Sequence, residues 1–358
     1  MKYSESNITS EYTKSGVQKA GKCLLIDGLI SKDPNKYREC MDTLSRWRAC
    51  HIETLNEVSS KLTIVASQID QNAIVVSRLK RTPSIITKLK RNPKMNLDRM
   101  QDIAGCRAIV KTPKLVSKVR RRLKLAFQLK ETNYIDNPKE DGYRGVHLIG
   151  KHLSEIDNKY YQVEIQVRTK LQHAWATAVE IVDLFTNQTL KSNIGKKEWK
   201  EFFKYSADEF AGLEETPKRH KNSQSRLSES ISKLSIYQKF DAFRITLNFI
   251  DQNVSIQQHA YCLIKIHTKT NTGEVSLFSE AKAKEATAQY LAAEKESAKN
   301  PTIVSALVSV ASVDNLKDAF PNYFADSSLF IETLRSVDGY QSSTLTSYIS
   351  NWLKKSGL

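Results

Sequence analysis

Tyr160-Tyr161-Gln162-Val163-Glu164-Ile165-Gln166-Val167-Arg168 alternates apolar and polar side chains from Tyr161 onward. Side chains two apart on a strand share a face, so the spacing predicts a strand with Tyr161, Val163, Ile165 and Val167 turned into a core. Gln162, Glu164, Gln166 and Arg168 then line the other side. Thr169 follows as an expected helix N-cap, and Leu171, Ala174, Trp175, Ala178, Val182 and Phe185 recur at helical spacing on one face. Short apolar runs at Cys106 to Val110 and Val146 to Ile149 have strand length, so the middle of the chain is expected to be mixed α+β.

Upstream, residues 1–74 show no strand alternation. Between Met41 and Val65, Leu44, Trp47, Ile52, Leu55, Val58 and Leu62 recur at mostly three- or four-residue steps, which predicts an N-terminal helical region. Downstream, the polar run Glu214 to Ser228 reads as a linker. A helix from about Leu227 to Phe249 is expected to lead into strands Tyr261 to Ile266 and Glu274 to Phe278, joined as a hairpin through Thr270-Asn271-Thr272-Gly273. A helix from about Ala281 to Ala298, a strand from Ile303 to Val310 and a helix capped near Asp314 complete a small α+β module. The expected division is 1–74 helical, 75–213 a central domain, 214–228 a linker and 229–358 a C-terminal module.

The chain has 358 residues and a formal charge of +16, and the excess is local. Arg78 to Lys130 holds 17 Lys and Arg against only Asp98 and Asp102, which leaves about +1 for the rest of the chain. Such a segment points to an anionic partner. Part of it is the solvated side of a helix, since Leu115, Val116, Val119, Leu123, Ala126 and Phe127 flank Arg120-Arg121-Arg122 at near-helical spacing. No apolar run reaches the ~18 residues of a membrane span, and Met1-Lys2-Tyr3-Ser4-Glu5 lacks a signal-peptide core, so a cytoplasmic protein without membrane partners is expected. Cys23, Cys40, Cys50, Cys106 and Cys262 have no Cys-x-x-Cys spacing and read as buried free thiols rather than disulfides or a zinc site.

Four segments carry chemistry. On the Glu164 strand, an acid, an amide and a guanidinium in line suit metal-assisted phosphoryl transfer. Asp102 stands just before the Cys106 strand, where a carboxylate can hold Mg²⁺ while Arg107 faces anionic oxygens. Thr82-Pro83 looks like an N-cap followed by Pro at the first helical position. Ser84 and Lys88 then lie one turn apart, and with Arg78, Lys80 and Arg81 the free N–H groups of the helix start would bind phosphate. Asp141-Gly142-Tyr143-Arg144-Gly145-Val146-His147 is a glycine-flanked turn that would expose a ring for base stacking, with Arg144 and His147 near phosphates.

Together, in this order, the segments resemble the nucleotidyltransferase domain of the RelA/SpoT family, the alarmone synthetases, over about residues 75 to 185. The resemblance rests on Arg78-x-Lys80 with Ser84 and Lys88, Asp102-Ile103-Ala104-Gly105-Cys106-Arg107, Gly142-Tyr143-Arg144 with His147, and Glu164-x-Gln166-x-Arg168-Thr169 followed by His173-Ala174-Trp175. It implies a mixed β-sheet core flanked by helices and transfer of the β,γ-pyrophosphate of ATP to the 3′-hydroxyl of GDP or GTP. It implies that Arg78, Lys80, Ser84, Lys88 and Arg107 hold the ATP phosphates, and that Asp102 and Glu164 coordinate Mg²⁺ with Glu164 as base. Tyr143 would stack on the acceptor base, while Arg144, His147, Gln166 and Arg168 orient its ribose and phosphates.

Ser77 and Gly145 depart from the residues commonest in the family without removing a functional side chain. The chain has no His-Asp dipeptide, so synthesis without hydrolysis is expected. Other acceptors are implied by toxic relatives: the 3′ end of tRNA, met through Arg120, Arg121, Arg122 and Lys124, or an adenine nucleotide. An inactive nucleotide- or RNA-binding relative is the third reading, against which the intact Asp102 and Glu164 stand. Small synthetases of the family often form homo-oligomers.

Overall fold

The computed structural model describes residues 12–186, 190, 195–217, 220–252, 260–267, 272–300, 303–309 and 323–339. The chain packs as two compact units, Met1–Ile135 with Gly145–Thr169, and Asp136–Arg144 with Lys170–Leu358.

In the first unit, helices α1 (Lys14–Cys23), α2 (Leu29–Lys32), α3 (Pro34–Ala49) and α4 (Ile52–Ile69) precede β1 (Ile74–Leu79) and α5 (Thr82–Arg91). Then come β2 (Ala104–Val110), α6 (Pro113–Ala126), β3 (Leu129–Asn133), β4 (Val146–Leu153) and β5 (Tyr160–Thr169). The expected helical region is present, and across Met41 to Val65 it is two helices, parted at Cys50 and His51 where α3 ends on Arg46 and Arg48 carbonyls. The strands form one mixed sheet in the order β1-β2-β5-β4-β3, with β2 and β5 parallel and the other pairs antiparallel. The expected mixed α+β core is therefore present. Two of its strands, β1 and β3, were not legible as strands, and both are edges.

The period-two reading of β5 holds. Tyr161, Val163, Ile165 and Val167 are at most 1% exposed, and Val163, Ile165 and Val167 pack with Ala104, Cys106, Ala108, Val146 and Leu148. Leu55, Val58, Leu62 and Ala66 of α4 and Val116, Val119 and Leu123 of α6 cover this apolar face. A one-residue slip of β5 would turn Val163, Ile165 and Val167 out of this core, at about 1.5–3 kcal/mol for each fully buried side chain, which fixes the register. A second cluster joins α1 and α3 to Ile85 and Leu89 of α5, with Trp47 and Tyr161 inside it.

The second unit contains α7 (Lys170–Thr186), α8 (Lys197–Leu213), α9 (Ser223–Leu234) and α10 (Ile236–Gln252), then β6 (Tyr261–His267), β7 (Thr272–Phe278), α11 (Ala283–Lys299), β8 (Ile303–Ser309) and α12 (Tyr323–Asp338). β6 pairs with β7 as the expected hairpin and with β8, all antiparallel. Part of the hairpin turn and the helix start expected near Asp314 lie outside the described residues. The last helix of the polar stretch begins at Ser223, ahead of the expected Leu227. α7 differs from the one-sided helix expected: Gln172, His173 and Thr177 are buried along with its apolar residues, because partners elsewhere in the unit satisfy them. Trp175 Nε1 donates to the Phe203 carbonyl at 2.9 Å, and His173 Nε2 meets Asp326 at 3.2 Å.

Among the described residues, no helix is long and apolar enough to cross a membrane. All five cysteines are free thiols, four of them buried and Cys50 half-buried.

Candidate active site

The face of the sheet opposite α4 and α6 carries the polar row. Register places Gly105 beside Glu164, Arg107 beside Gln166, and His147 on the other side of Gln166. Directly paired residues share a face, so Arg107, His147, Glu164, Gln166 and Arg168 meet there. Gly105 leaves the space beside Glu164 clear of a side chain.

These residues form a bonded chain. His147 Nδ1 donates to Glu164 Oε1 at 2.9 Å, and Gln166 Nε2 donates to Glu164 Oε2 at 2.8 Å. The carbonyl of Gln166 accepts from Arg168 at 2.8 Å and from Arg107 Nε at 3.4 Å. The Tyr134 ring meets His147 edge-on, 5.2 Å between centroids. Burial alone would raise the Glu164 carboxyl, but the hydrogen bond and charge of His147, the Gln166 amide and the nearby Lys88 ammonium together pull it down to about 2. Glu164 is ionised at neutral pH although its side chain is only 15% exposed.

Asp102 lies in the turn before β2. Lys80 Nζ reaches its Oδ2 at 2.9 Å and Lys88 Nζ its Oδ1 at 2.8 Å. Burial pushes this carboxyl up, and the two ammonium groups outweigh it and hold it below its ordinary value. Lys88 is thus bonded to one acid while its charge stabilises the other. Lys80 is placed by backbone bonds that local sequence does not announce: its N–H donates to the Ile103 carbonyl at 2.7 Å, and its carbonyl accepts from Arg48 Nε at 2.8 Å. Arg48, on α3, is a supporting residue that sequence reasoning missed.

α5 starts one residue earlier than expected. Arg81, with φ −70° and ψ 146°, is the N-cap, and Thr82 is the first helical residue with Pro83 behind it. Proline fixes φ for either of the first helical positions, so the sequence left this open. The Arg81 side chain makes no capping hydrogen bond to the helix start. Ser84 is exposed on its first turn, and Arg78 is exposed on β1 opposite Gly105.

Residues 77–182 match the family described as "Region found in RelA / SpoT proteins". The segments just described fall inside that match. The chain contains a RelA/SpoT region. Solved structures similar to the chain include the small alarmone synthetase 2 from Bacillus subtilis, with 26% identity and a TM-score of 0.42 over 48% of this chain and 94% of that one. A GTP pyrophosphokinase family protein from Streptococcus pneumoniae shows 25% identity and a TM-score of 0.42, over 48% and 89%. The small alarmone synthetase 1 from Bacillus subtilis bound to its product pppGpp shows 24% and 0.41, over 48% and 93%. No curated protein matches the chain.

Within the RelA/SpoT region, the residues expected to serve phosphates and catalysis collect in the first unit, whereas Tyr143 and Arg144 belong to the second. Tyr143 is half-buried, with the Lys139 ammonium 4.8 Å from its ring centroid. Arg144 is 4% exposed, and its guanidinium is committed to Asp208 Oδ1 at 2.8 Å and to the carbonyls of Gly142 and Pro217. The fold thus sets Arg144, expected at the acceptor, in a buried ion pair with Asp208.

The cations expected to meet tRNA also divide. Arg120 and Lys124 both pair with Glu131, at 3.4 and 2.9 Å, and Arg122 donates to Gln68 at 3.5 Å. α6 packs on the apolar face of the sheet, behind the row that holds Glu164.

Asp102 and Glu164 offer hard oxygen donors, the chemistry that suits Mg²⁺. Among the described residues, no group of three or more His, Cys, Asp and Glu could hold a metal ion. Two carboxylates fit an ion of the kind that keeps its waters and shares phosphate oxygens, not one caged by protein alone.

Proposed function

We propose that this chain transfers the β,γ-pyrophosphate of ATP to the 3′-hydroxyl of GDP or GTP, making guanosine penta- or tetraphosphate-type alarmones. The observation that carries the reading is the ionised Glu164, bonded to His147 and Gln166 on the sheet face that also holds Arg107, with the Lys88 ammonium, itself bonded to Asp102, near enough to stabilise its charge. The RelA/SpoT match over 77–182 supports the same chemistry.

In this reaction the acceptor oxygen bonds to the β-phosphorus of ATP, the bridge from the α-phosphate breaks, AMP leaves, and the hydroxyl proton goes to Glu164. A carboxylate near 2 is a weak base at the outset. Its contribution is to orient the hydroxyl and to take the proton late, once bonding to phosphorus has acidified it. Phosphoryl-type transfer demands little more, because a loose transition state needs alignment and positive charge rather than a strong nucleophile. Arg78, Lys80, Lys88 and Arg107 supply charge to the polyphosphate, and Ser84 with the α5 start adds hydrogen-bond donors. Asp102 and Glu164 would hold Mg²⁺, which when bound neutralises charge developing on the phosphates. His147 orients Glu164, Arg168 orients Gln166, and Tyr143 stacks on the acceptor base.

The test is purified protein with γ-labelled ATP and separate GDP, GTP, AMP or tRNA. Label on guanine nucleotides is expected. Label confined to AMP or tRNA would replace the acceptor assigned here, and no label on any of them would overturn the enzymatic reading.

A further inference from the structure

The segment that carries Tyr143 is tied down by more than the turn needs. Gly142 has φ +94°, and a Cβ there would stand 2.8 Å from the Cβ of Ala207 on α8, so the backbone lies directly on that helix. The Tyr143 amide donates to Asp141 Oδ1 at 2.9 Å, and Arg144 then plunges into the unit beside α8. There Asp208, 1% exposed, accepts Arg144 on one oxygen at 2.8 Å. On the other it accepts the His220 backbone N–H at 2.9 Å and His220 Nδ1 at 2.6 Å. Burying such a pair removes two charges from water, and well-packed apolar residues of similar volume are often at least as stabilising. Its geometry instead fixes a direction: three donors on one carboxylate, and a planar guanidinium bonded through both terminal nitrogens, allow a single orientation of the residue next to Tyr143.

We propose that Asp208 and His220 are positioning residues for Tyr143, holding Arg144 so that the tyrosine is preset for the base of the acceptor nucleotide. The proposal rests on the nucleotide-acceptor reading above. A segment ordered before binding spares the complex the entropy of ordering it, so the gain falls on acceptor affinity rather than on the chemical step.

The experiment compares Asp208→Asn and His220→Ala with the wild type in the full chain, by steady-state transfer and by amide hydrogen exchange across 139–144. Asparagine can keep an acceptor for Arg144 only by turning its NH₂ toward the His220 donors. The expected result for Asp208→Asn is an acceptor KM raised about tenfold, with the KM for ATP within about twofold and kcat within about threefold. His220→Ala, on the more exposed side of the cluster, should raise the acceptor KM about threefold in the same pattern. An unchanged acceptor KM, or equal rises in both KM values, overturns the proposal. If Asp208→Asn does not fold, His220→Ala decides it on the same criteria. A wild type inactive on all acceptors refutes the function assigned above. In that event exchange in His220→Ala decides whether this cluster orders the segment: faster exchange at 142–144 supports it and unchanged exchange overturns it.

Discussion

Glu164→Gln keeps the length of the side chain and one oxygen, and removes the charge that its neighbours are arranged around. The loss can be sized from the structure. Burial favours the neutral acid, yet His147, Gln166 and Lys88 bring the carboxyl to about 2 against an ordinary 4.5. That separation is worth roughly 3 kcal/mol of preference for the ionised form in the folded chain. Because the folded value is depressed, the unfolded chain takes up the proton first, so the contribution is complete above the unfolded value and is lost as pH falls toward 2. Urea unfolding at pH 6, 4 and 3 should therefore show the stability advantage of the wild type over Glu164→Gln shrinking by roughly 2 kcal/mol across that range. In the transfer assay at neutral pH, loss of a positioned proton acceptor should lower kcat by at least about 100-fold. ATP binding should stay within a few-fold, since the phosphate cations are untouched. A stability gap that does not change with pH would refute the electrostatic account of Glu164. A variant that still transfers within tenfold of the wild type would refute its role in the reaction.

Three further outcomes follow from the geometry. Lys88→Gln removes the ammonium bonded to Asp102 at 2.8 Å and should raise the KM for ATP at least about tenfold, with the acceptor KM changing less; steady-state titration of each substrate separates the two. Gly142→Ala forces a side chain at φ +94° against Ala207 and should cost at least about 1 kcal/mol in urea unfolding, with a raised acceptor KM. Replacing Lys114, Lys118, Arg121 and Arg122 together by Gln should change stability by no more than about 0.5 kcal/mol and leave transfer to GDP nearly intact, because they lie on exposed positions of α6. A tenfold fall in that transfer would show that α6 serves the site.

How much of this was legible in the sequence depended on where the stabilising partner lies. β5 was readable because one of its faces packs under α4 and α6 while the other carries the polar row, and alternation reports that directly. β1 and β3 were not. They are the edges of the sheet: β1 has no period of two in its exposure, β3 alternates in exposure but carries Leu129, Glu131 and Asn133 on its less exposed side, and pairing with a single neighbour decides both. Asp102, Glu164, Gln166 and His147 were readable as motif residues and the structure brings their neighbours together around them. The surroundings of Arg144 were hidden for a different reason. Its partner Asp208 is 64 positions away, and nothing local to Gly142-Tyr143-Arg144 separates an arginine that reaches a ligand from one that is buried in a clamp. The buried polar residues of α7 were hidden in the same way, since Gln172 finds Glu214 and His173 finds Asp326.

The net +15 of residues 78–130 splits, in the fold, into parts with different consequences. Arg120 and Lys124 spend their charge on Glu131, and the exposed cations of α6 sit on the layer behind the sheet, across the core from Glu164. Around the candidate site, Arg78, Lys80, Lys88, Arg107 and Arg168 face two carboxylates, Asp102 and Glu164, which leaves an excess of three positive charges there. That excess is of the size of one polyphosphate tail, and a local positive field raises the concentration of such an anion and the rate at which it arrives. The cations beyond what a mononucleotide's phosphates need are therefore those of α6, not those of the site. A long polyanion laid on α6 would have the whole sheet between its contacts and Glu164, so charge there does not by itself favour tRNA as the acceptor.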